Sequence, residues 1–350
     1  MRLGLSLGYQ TSWTTPADHL ALAREADRLG YDVVWASEAY GSDAPSILAW
    51  IAGQTTRIDV GSAVMQIPAR TPAATAMTAA TIDALSGGRF RLGLGVSGPQ
   101  VSEGWHGVRF DAPLARTREY VEIVRMVLAR QRVQYQGTHY QLPLPDGPGK
   151  ALKLGFRPPR ADIPIYLAAL GPRNLRLTGE IADGWLGLFV DPDFAGQLLA
   201  EVAAGRRAAG RDMTGFDVVA SVPVVVGDDP VACAELVRWY AALYVGGMGS
   251  REQNFYHRLA TRMGYGEAAD RVQDLYLSGR HRDAAAAVPF EFIDRTSLLG
   301  PVDRIAERMR AYAAAGVTTL SVSVFAGDAA SGAATLEAVV EAASRAGLGR

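Results

Sequence analysis

One theme recurs along this chain. A short apolar run is followed by a segment whose apolar residues return every three or four positions, and then the pair repeats. The first run is Leu3 to Leu7; Pro16 to Leu29 follows with Leu20, Ala23, Ala26 and Leu29 on one helical face and Gly30 as a stop. Further pairs are Val33 to Ala36 with Ala44 to Gln54, Val60 to Val64 with Thr71 to Leu85, and Phe90 to Leu94 with Leu114 to Arg130. Then come Ile163 to Ala168 with Pro172 to Ile181, Trp185 to Val190 with Phe194 to Ala209, and Val218 to Val226 with Val231 to Tyr244. A helix Val302 to Ala315, a strand Thr319 to Phe325 and a helix Ala333 to Ala346 close the series. Strands that alternate with helices pair in parallel through right-handed crossovers. Eight such strands fit an α/β fold of the closed (β/α)8 TIM barrel type better than an open sheet.

Two stretches break the rhythm. Gln131 to Asp162 is rich in Pro and Gly and reads as a loop or hairpin excursion. Gly246 to Gly300 carries short helical patterns, Glu252 to Arg262 and Glu267 to Leu277, and reads as a helical insertion over one end of the barrel. Neither has the composition of a linker, so residues 1–350 are expected to form a single barrel domain with these two insertions.

Composition narrows the partners. Hydrophobic residues make up 49% and charged residues 20% of the 350, enough for a large core and too apolar for disorder. A formal net charge of -1 argues against a broad basic surface for nucleic acid. No run approaches the roughly 18 apolar residues a bilayer requires, and the first residues are too short and interrupted for a signal segment. The single cysteine, Cys233, forms neither an internal disulfide nor a multi-cysteine metal site. The expectation is a cytoplasmic protein that handles a small organic molecule, not a nucleic acid or a membrane.

In such a barrel, chemistry belongs at the C-terminal ends of the strands. The third strand ends in Gly61, Ser62 and Ala63, where a backbone without bulk can press against a flat ring. Glu38, just past the second strand, lies at the same end; it could hold a ring N–H or shuttle a proton, or it could be a structural carboxylate for the next loop's amides. Gly93 to Gly98 fits G-x-G-x-x-G, but that fingerprint needs a helix directly after the glycines. Here Pro99 and loop-like residues Gln100 to Pro113 follow, so the better reading is a strand end whose Val96-Ser97-Gly98 loop lets a ligand approach. At Ala169-Leu-Gly-Pro-Arg173 a strand ends and Pro172 sits at a first helical position; free amides and Arg173 could take a phosphate there.

The conventional catalytic inventory is thin. The five histidines, His19, His106, His139, His257 and His281, show no helical metal spacing, and no metal site is expected. No nucleophile elbow or Walker loop is present. His106, in Gly104-Trp-His-Gly107, could line a substrate pocket or pack beside Trp105.

Taken together, Val33-Val-Trp-Ala-Ser-Glu38, Val60 to Pro72, Ser86 to Gly98, Gly104-Trp-His-Gly107, Ala115-Arg-Thr-Arg-Glu-Tyr120 and Ile181-Ala-Asp-Gly-Trp185 resemble the bacterial luciferase-like oxidoreductases, in particular the branch that uses the deazaflavin coenzyme F420. The resemblance spans most of the chain. It implies a non-proline cis peptide at Ala63-Val64 backing the cofactor ring, with Ser62, Ala63, Val64 and Gln66 around it. It also implies contacts of Ser97, Gly98, Gln100 and Val101 with the cofactor's side chain, and a phosphate site at Ala169, Leu170, Gly171, Pro172 and Arg173. Glu38 falls near the ring, and Glu38 and His106 are the candidate catalytic residues. Arg70 and Arg173 are the cations available for an acidic tail. Relatives that oxidise sugar phosphates follow the acid with histidine; this chain has Ala39, which weakens that role. The resemblance further implies a homodimer. The runner-up is an FMN-dependent monooxygenase of the same fold that uses reduced flavin and O2; a third reading is a barrel that binds a cofactor without turnover.

Overall fold

The computed structural model describes residues 1–8, 15–325 and 327–349. Eight parallel strands run in chain order around a closed barrel: β1 (Arg2–Ser6), β2 (Val33–Ala36), β3 (Asp59–Ser62), β4 (Phe90–Gly95), β5 (Ile165–Ala168), β6 (Gly184–Leu188), β7 (Asp217–Val226) and β8 (Thr319–Val324). Each pairs with the next, and β8 closes onto β1 through Arg2↔Thr319 to Ser6↔Ser323. The (β/α)8 barrel expected from the alternation is the fold observed.

The helices that matter here are α1 (Pro16–Leu29), α2 (Ala44–Ala52), α3 (Pro72–Leu85), α4 (Pro113–Leu128), α5 (Pro172–Ile181), α6 (Pro192–Ala208), α7 (Val302–Ala314) and α8 (Ala329–Arg345). Local chemistry sets their starts. Thr15 caps α1 in a reciprocal box with Asp18, while Asp43 accepts from the Ser46 amide and Thr71 from the Ala74 amide. Proline occupies the first turn of α1 to α6, where its missing N–H costs nothing.

Three local expectations change. A six-residue helix, Pro99–Gly104, opens directly after Gly98, in the stretch read as loop. The barrel context, not the absence of a helix, is what separates Gly93 to Gly98 from a dinucleotide fold. The helix expected over Val231 to Tyr244 is broken into Pro230–Glu235, Arg238–Ala242 and a π turn at Leu243–Gly247. A three-residue strand, Leu298–Gly300, extends the sheet beside the upper end of β7. Segment 131–162 contains a two-stranded hairpin, and segment 246–300 holds four short helices.

The barrel interior is crossed by side chains from opposite strands. At the N-terminal end, Asp217 on β7 accepts from Tyr166 on β5 at 2.9 Å, from Arg91 on β4 at 3.3 Å and from Thr319 on β8 at 2.8 Å. Above this floor the Trp35 ring meets Tyr166 edge-on, with centroids 5.3 Å apart. Gly61 makes room for that indole: a Cβ there would lie 2.4 Å from a Trp35 ring carbon. No helix among the described residues is long and apolar enough to cross a membrane.

Candidate active site at the strand tips

The third strand carries the most unusual backbone. Gly61 pairs with Arg91, an offset of 30, and Met65 pairs with Leu94, an offset of 29. One extra residue is therefore accommodated between Gly61 and Met65, which is a β-bulge. The Ala63–Val64 peptide inside it is cis, at the bond the family resemblance implied. Ser62 is fully buried and ties the bulge to β4: its hydroxyl donates to the Gly93 carbonyl at 2.8 Å and accepts the Gly93 amide at 2.9 Å. Only glycine fits opposite, because a Cβ on Gly93 would sit 1.9 Å from the Ser62 carbonyl oxygen. On the β2 side, the Ser37 hydroxyl donates to the Ala63 carbonyl at 2.9 Å. The bulge is thus pinned from both neighbours, while Ala63 and Val64 stay half-buried on the barrel's inner side.

Glu38 is held rather than free. Its carboxylate accepts both guanidinium nitrogens of Arg70, at 2.6 and 2.7 Å, and the backbone amides of Gln66 at 3.1 Å and Ala44 at 3.4 Å. Arg70 also reaches Asp43, and hydrogen bonding to Glu38 foremost pushes its pKa above the ordinary arginine value. A guanidinium already forked onto carboxylates is not the spare cation that the role read for Arg70 would require. That pairing was not visible in the sequence, where Glu38 and Arg70 lie 32 residues apart.

Gln66 joins the third and fourth tips. It is only 5% exposed; its side-chain nitrogen donates to the Ser97 hydroxyl at 3.1 Å and its oxygen faces His106 Nε2 at 2.9 Å. Ser97 sits at φ 62, in the left-handed region, where the chain turns into the short helix. The loop carrying His106 is stitched to that helix: the Trp105 and His106 amides donate to the Val101 carbonyl at 3.0 and 3.1 Å, and the Ser102 hydroxyl to the Val108 carbonyl at 2.7 Å. Glu38, Gln66, Ser97 and His106 therefore form one hydrogen-bonded chain. Gly98 caps the short helix through backbone alone, and Gln100 and Val101 lie on that helix.

Ala169 to Arg173 stands at the next tip. Strand β5 lies beside β4 through Leu94↔Leu167, and the Trp185 indole donates to the Ala169 carbonyl at 2.9 Å. Helix α5 begins at Pro172 after Gly171 with no side-chain cap, so its first amides remain to be satisfied by something else. Arg173 is exposed beside them, and Arg262 from the helical insertion donates to the Leu170 carbonyl at 3.1 Å. The combination of a flat, side-chain-poor bulge and an uncapped ten-residue helix fits a planar ring carrying a phosphorylated tail. Among the described residues, no group of three or more His, Cys, Asp or Glu side chains is placed to hold a metal ion.

Comparison with known proteins agrees with this geometry. The chain is 47% identical over 330 residues to a Mycobacterium tuberculosis protein named as a coenzyme F420-dependent oxidoreductase, covering 92% of this chain and 95% of the relative. It is 31% identical over 299 residues to the 5,10-methylenetetrahydromethanopterin reductase of Archaeoglobus fulgidus, covering 84% and 85%. The structure of the F420-dependent tetrahydromethanopterin reductase of Methanopyrus kandleri superposes with a TM-score of 0.82 over 96% of this chain and 97% of that one, at 24% identity, and so shares the fold. Residues 1–319 match the luciferase-like monooxygenase family, and the chain belongs to it.

Proposed function

We propose that this protein is an oxidoreductase that moves a hydride between coenzyme F420 and a small organic substrate. The observation that carries the reading is the pinned bulge at Ala63-Val64, a rigid shelf free of large side chains at the mouth of the barrel. The choice of coenzyme rests on the F420-dependent relative that matches nearly the whole chain. When bound, the deazaflavin supplies a carbon centre that accepts or gives a hydride.

The chain's own residues orient and hold. The backbone of Ser62, Ala63 and Val64 supports the ring face. Ser97, Gly98, Gln100 and Val101 line its side chain, and the amides after Gly171 with Arg173 bind phosphate. Glu38 fixes the loop that follows the bulge by gripping Arg70 and the Gln66 amide. His106 is the group available to give or take the substrate's proton. Such placement supplies much of the rate when two planar partners must meet at a fixed distance.

A homodimer belongs to the same proposal. Helix α3 carries no basic residue, its one acid, Asp83, is buried, and its outer face shows Met77 and Leu85, 56% and 61% exposed. An outer helix face without charge that exposes two large apolar side chains asks for cover. Sedimentation velocity of the wild type and of Met77→Asp checks this: the wild type sediments as a dimer and the variant shifts toward monomer.

The central experiment is calorimetric titration with F420 and, separately, with flavin mononucleotide. Micromolar or tighter binding of F420 with weak flavin binding supports the reading. Flavin binding without deazaflavin binding, with oxygen consumed on reduction, reverses it in favour of a flavin monooxygenase. F420 binding without turnover of any alcohol or carbonyl substrate would leave a binding protein.

A further inference from the structure

We propose that Gln66 is a positioning residue that sets the tautomer of His106. The inference follows from hydrogen-bond bookkeeping. The Gln66 side-chain nitrogen is spent donating to Ser97 Oγ at 3.1 Å. Its other end, Oε1, can only accept, and it lies 2.9 Å from His106 Nε2. A neutral imidazole protonated at Nε2 satisfies that contact; one protonated at Nδ1 would set two lone pairs against each other. Neutral His106 is therefore held as the Nε2–H form, leaving Nδ1 as a bare acceptor, and Nδ1 has no hydrogen-bond partner among the described residues. An imidazole whose far nitrogen is fixed by a neighbour presents one defined proton-accepting atom, and the wrong tautomer presents none.

The backbone that carries this amide is fixed; the amide turned end for end, with the Ser97 hydroxyl donating to Oε1, would call for the Nδ1–H form instead. Gln66 is nearly fully buried, and its backbone amide is tied to Glu38 at 3.1 Å. It also pairs in register with Gly95 on β4. Glu38 is held in turn by Arg70 at 2.6 and 2.7 Å. The chain Arg70, Glu38, Gln66, His106 thus transmits the geometry of the third tip to the fourth loop. Nothing in it requires the coenzyme, so it is present in the free protein. Only its kinetic consequence rests on His106 being the proton-handling residue of the proposed reaction.

Two independent measurements test it. The first uses the full chain labelled with 15N-histidine and long-range 1H–15N correlation, with the His106 signals identified by their loss in His106→Asn. The expected result is Nε2 protonated and Nδ1 bare in the wild type. Gln66→Glu, which keeps an acceptor, retains that form. Gln66→Leu, and separately Ser97→Ala, which releases the amide to turn, populate both tautomers. Observation of the Nδ1–H form in the wild type, or of an unchanged tautomer in both Gln66→Leu and Ser97→Ala, overturns the assignment.

The second measurement is steady-state kinetics with saturating F420. Gln66→Leu is expected to lower kcat by about tenfold with substrate KM within about twofold, to alter the pH profile of kcat, and to be partly rescued by Gln66→Glu. A tautomer that shifts while kcat and its pH profile stay put removes His106 from proton transfer and leaves the tautomer assignment standing. Absence of F420 binding in the wild type would sink the functional reading instead, and the NMR result is independent of it.

Discussion

The two ends of the barrel are built on opposite principles. At the N-terminal end the interior is filled with charge. The Asp217 carboxylate collects Arg2 at 2.7 Å, Thr318 at 2.6 Å, Thr319 at 2.8 Å, Tyr166 at 2.9 Å and Arg91 at 3.3 Å, and Arg91 turns its other side to Asp59 at 2.8 Å. At the C-terminal end the inward positions include Ser6, Ala63, Val64, Ala168 and Ser323, each half-buried. One end has spent its polar groups on each other; the other presents backbone and small side chains. In a TIM barrel the first arrangement holds the strands together and the second accepts a ligand.

The largest effect should come from breaking the floor. Asp217→Ala leaves Arg91 with Asp59 as its one remaining carboxylate and the Tyr166 hydroxyl without its acceptor, and removing one partner of a buried ion pair costs about 3–5 kcal/mol. Equilibrium unfolding in urea should show that loss. F420 affinity of the fraction that remains folded should stay within about twofold, because Asp217 itself makes no contact with the third tip and the two are separated by the Trp35–Tyr166 layer. A large loss of affinity with little loss of stability would erase the distinction between the two ends.

Gly93→Ala attacks the boundary between them. Its methyl group would collide with the Ser62 carbonyl at the base of the bulge. Overpacking of this kind costs about 1–3 kcal/mol, less than the floor mutation, yet it should weaken coenzyme binding by more than tenfold because the shelf itself moves. Calorimetry on the folded variant reads this directly; unchanged affinity would mean that the bulge does not seat the ring.

Glu38→Gln is gentler. Glutamine keeps an acceptor for the Gln66 amide, and Asp43 still holds Arg70, so the expected stability loss is about 1 kcal/mol. Activity should fall more than that figure suggests, since slack at Glu38 passes through Gln66 to His106. Full activity with intact stability would show that the carboxylate serves only its own loop.

What the sequence made legible divides along the same line. The barrel could be read because strand and helix periods alternate over hundreds of residues, and helix α5 could be bounded at Pro172–Ile181 because Gly171 and Pro172 mark its start. The tip of β3 stood out because Gly61, Ser62 and Ala63 are small where a strand should be bulky. The helix Pro99–Gly104 was missed because six residues with no side-chain cap carry too little periodicity to register. The strand Leu298–Gly300 is shorter still and gains its meaning only from β7 beside it. The pairing of Glu38 with Arg70 and the bridge from Gln66 to Ser97 and His106 had no local signature. Their partners are 28 to 40 residues away, and a sequence rich in arginine offers many equivalent candidates for each carboxylate.

The smallest expected effect concerns a buried titratable group on the first turns of α1, at the mouth end. His19 is 4% exposed, and its Nε2 has no hydrogen-bond partner among the described residues, whereas the ions of the floor are paired. Burial lowers its pKa from the ordinary 6.5, with the nearby Asp18 opposing. Because the folded form resists protonation, the unfolded chain takes up this proton first as the pH falls. The stabilisation is therefore complete above about pH 6.5 and is lost progressively below it, so unfolding free energy should rise with pH across the window just below 6.5. His19→Gln should flatten that slope without touching the response of Asp217→Ala, whose loss is present at every pH in the window. An unchanged slope in His19→Gln would mean that the histidine takes up its proton in the folded protein as readily as in the unfolded chain, and that burial at the mouth end does not penalise the charge.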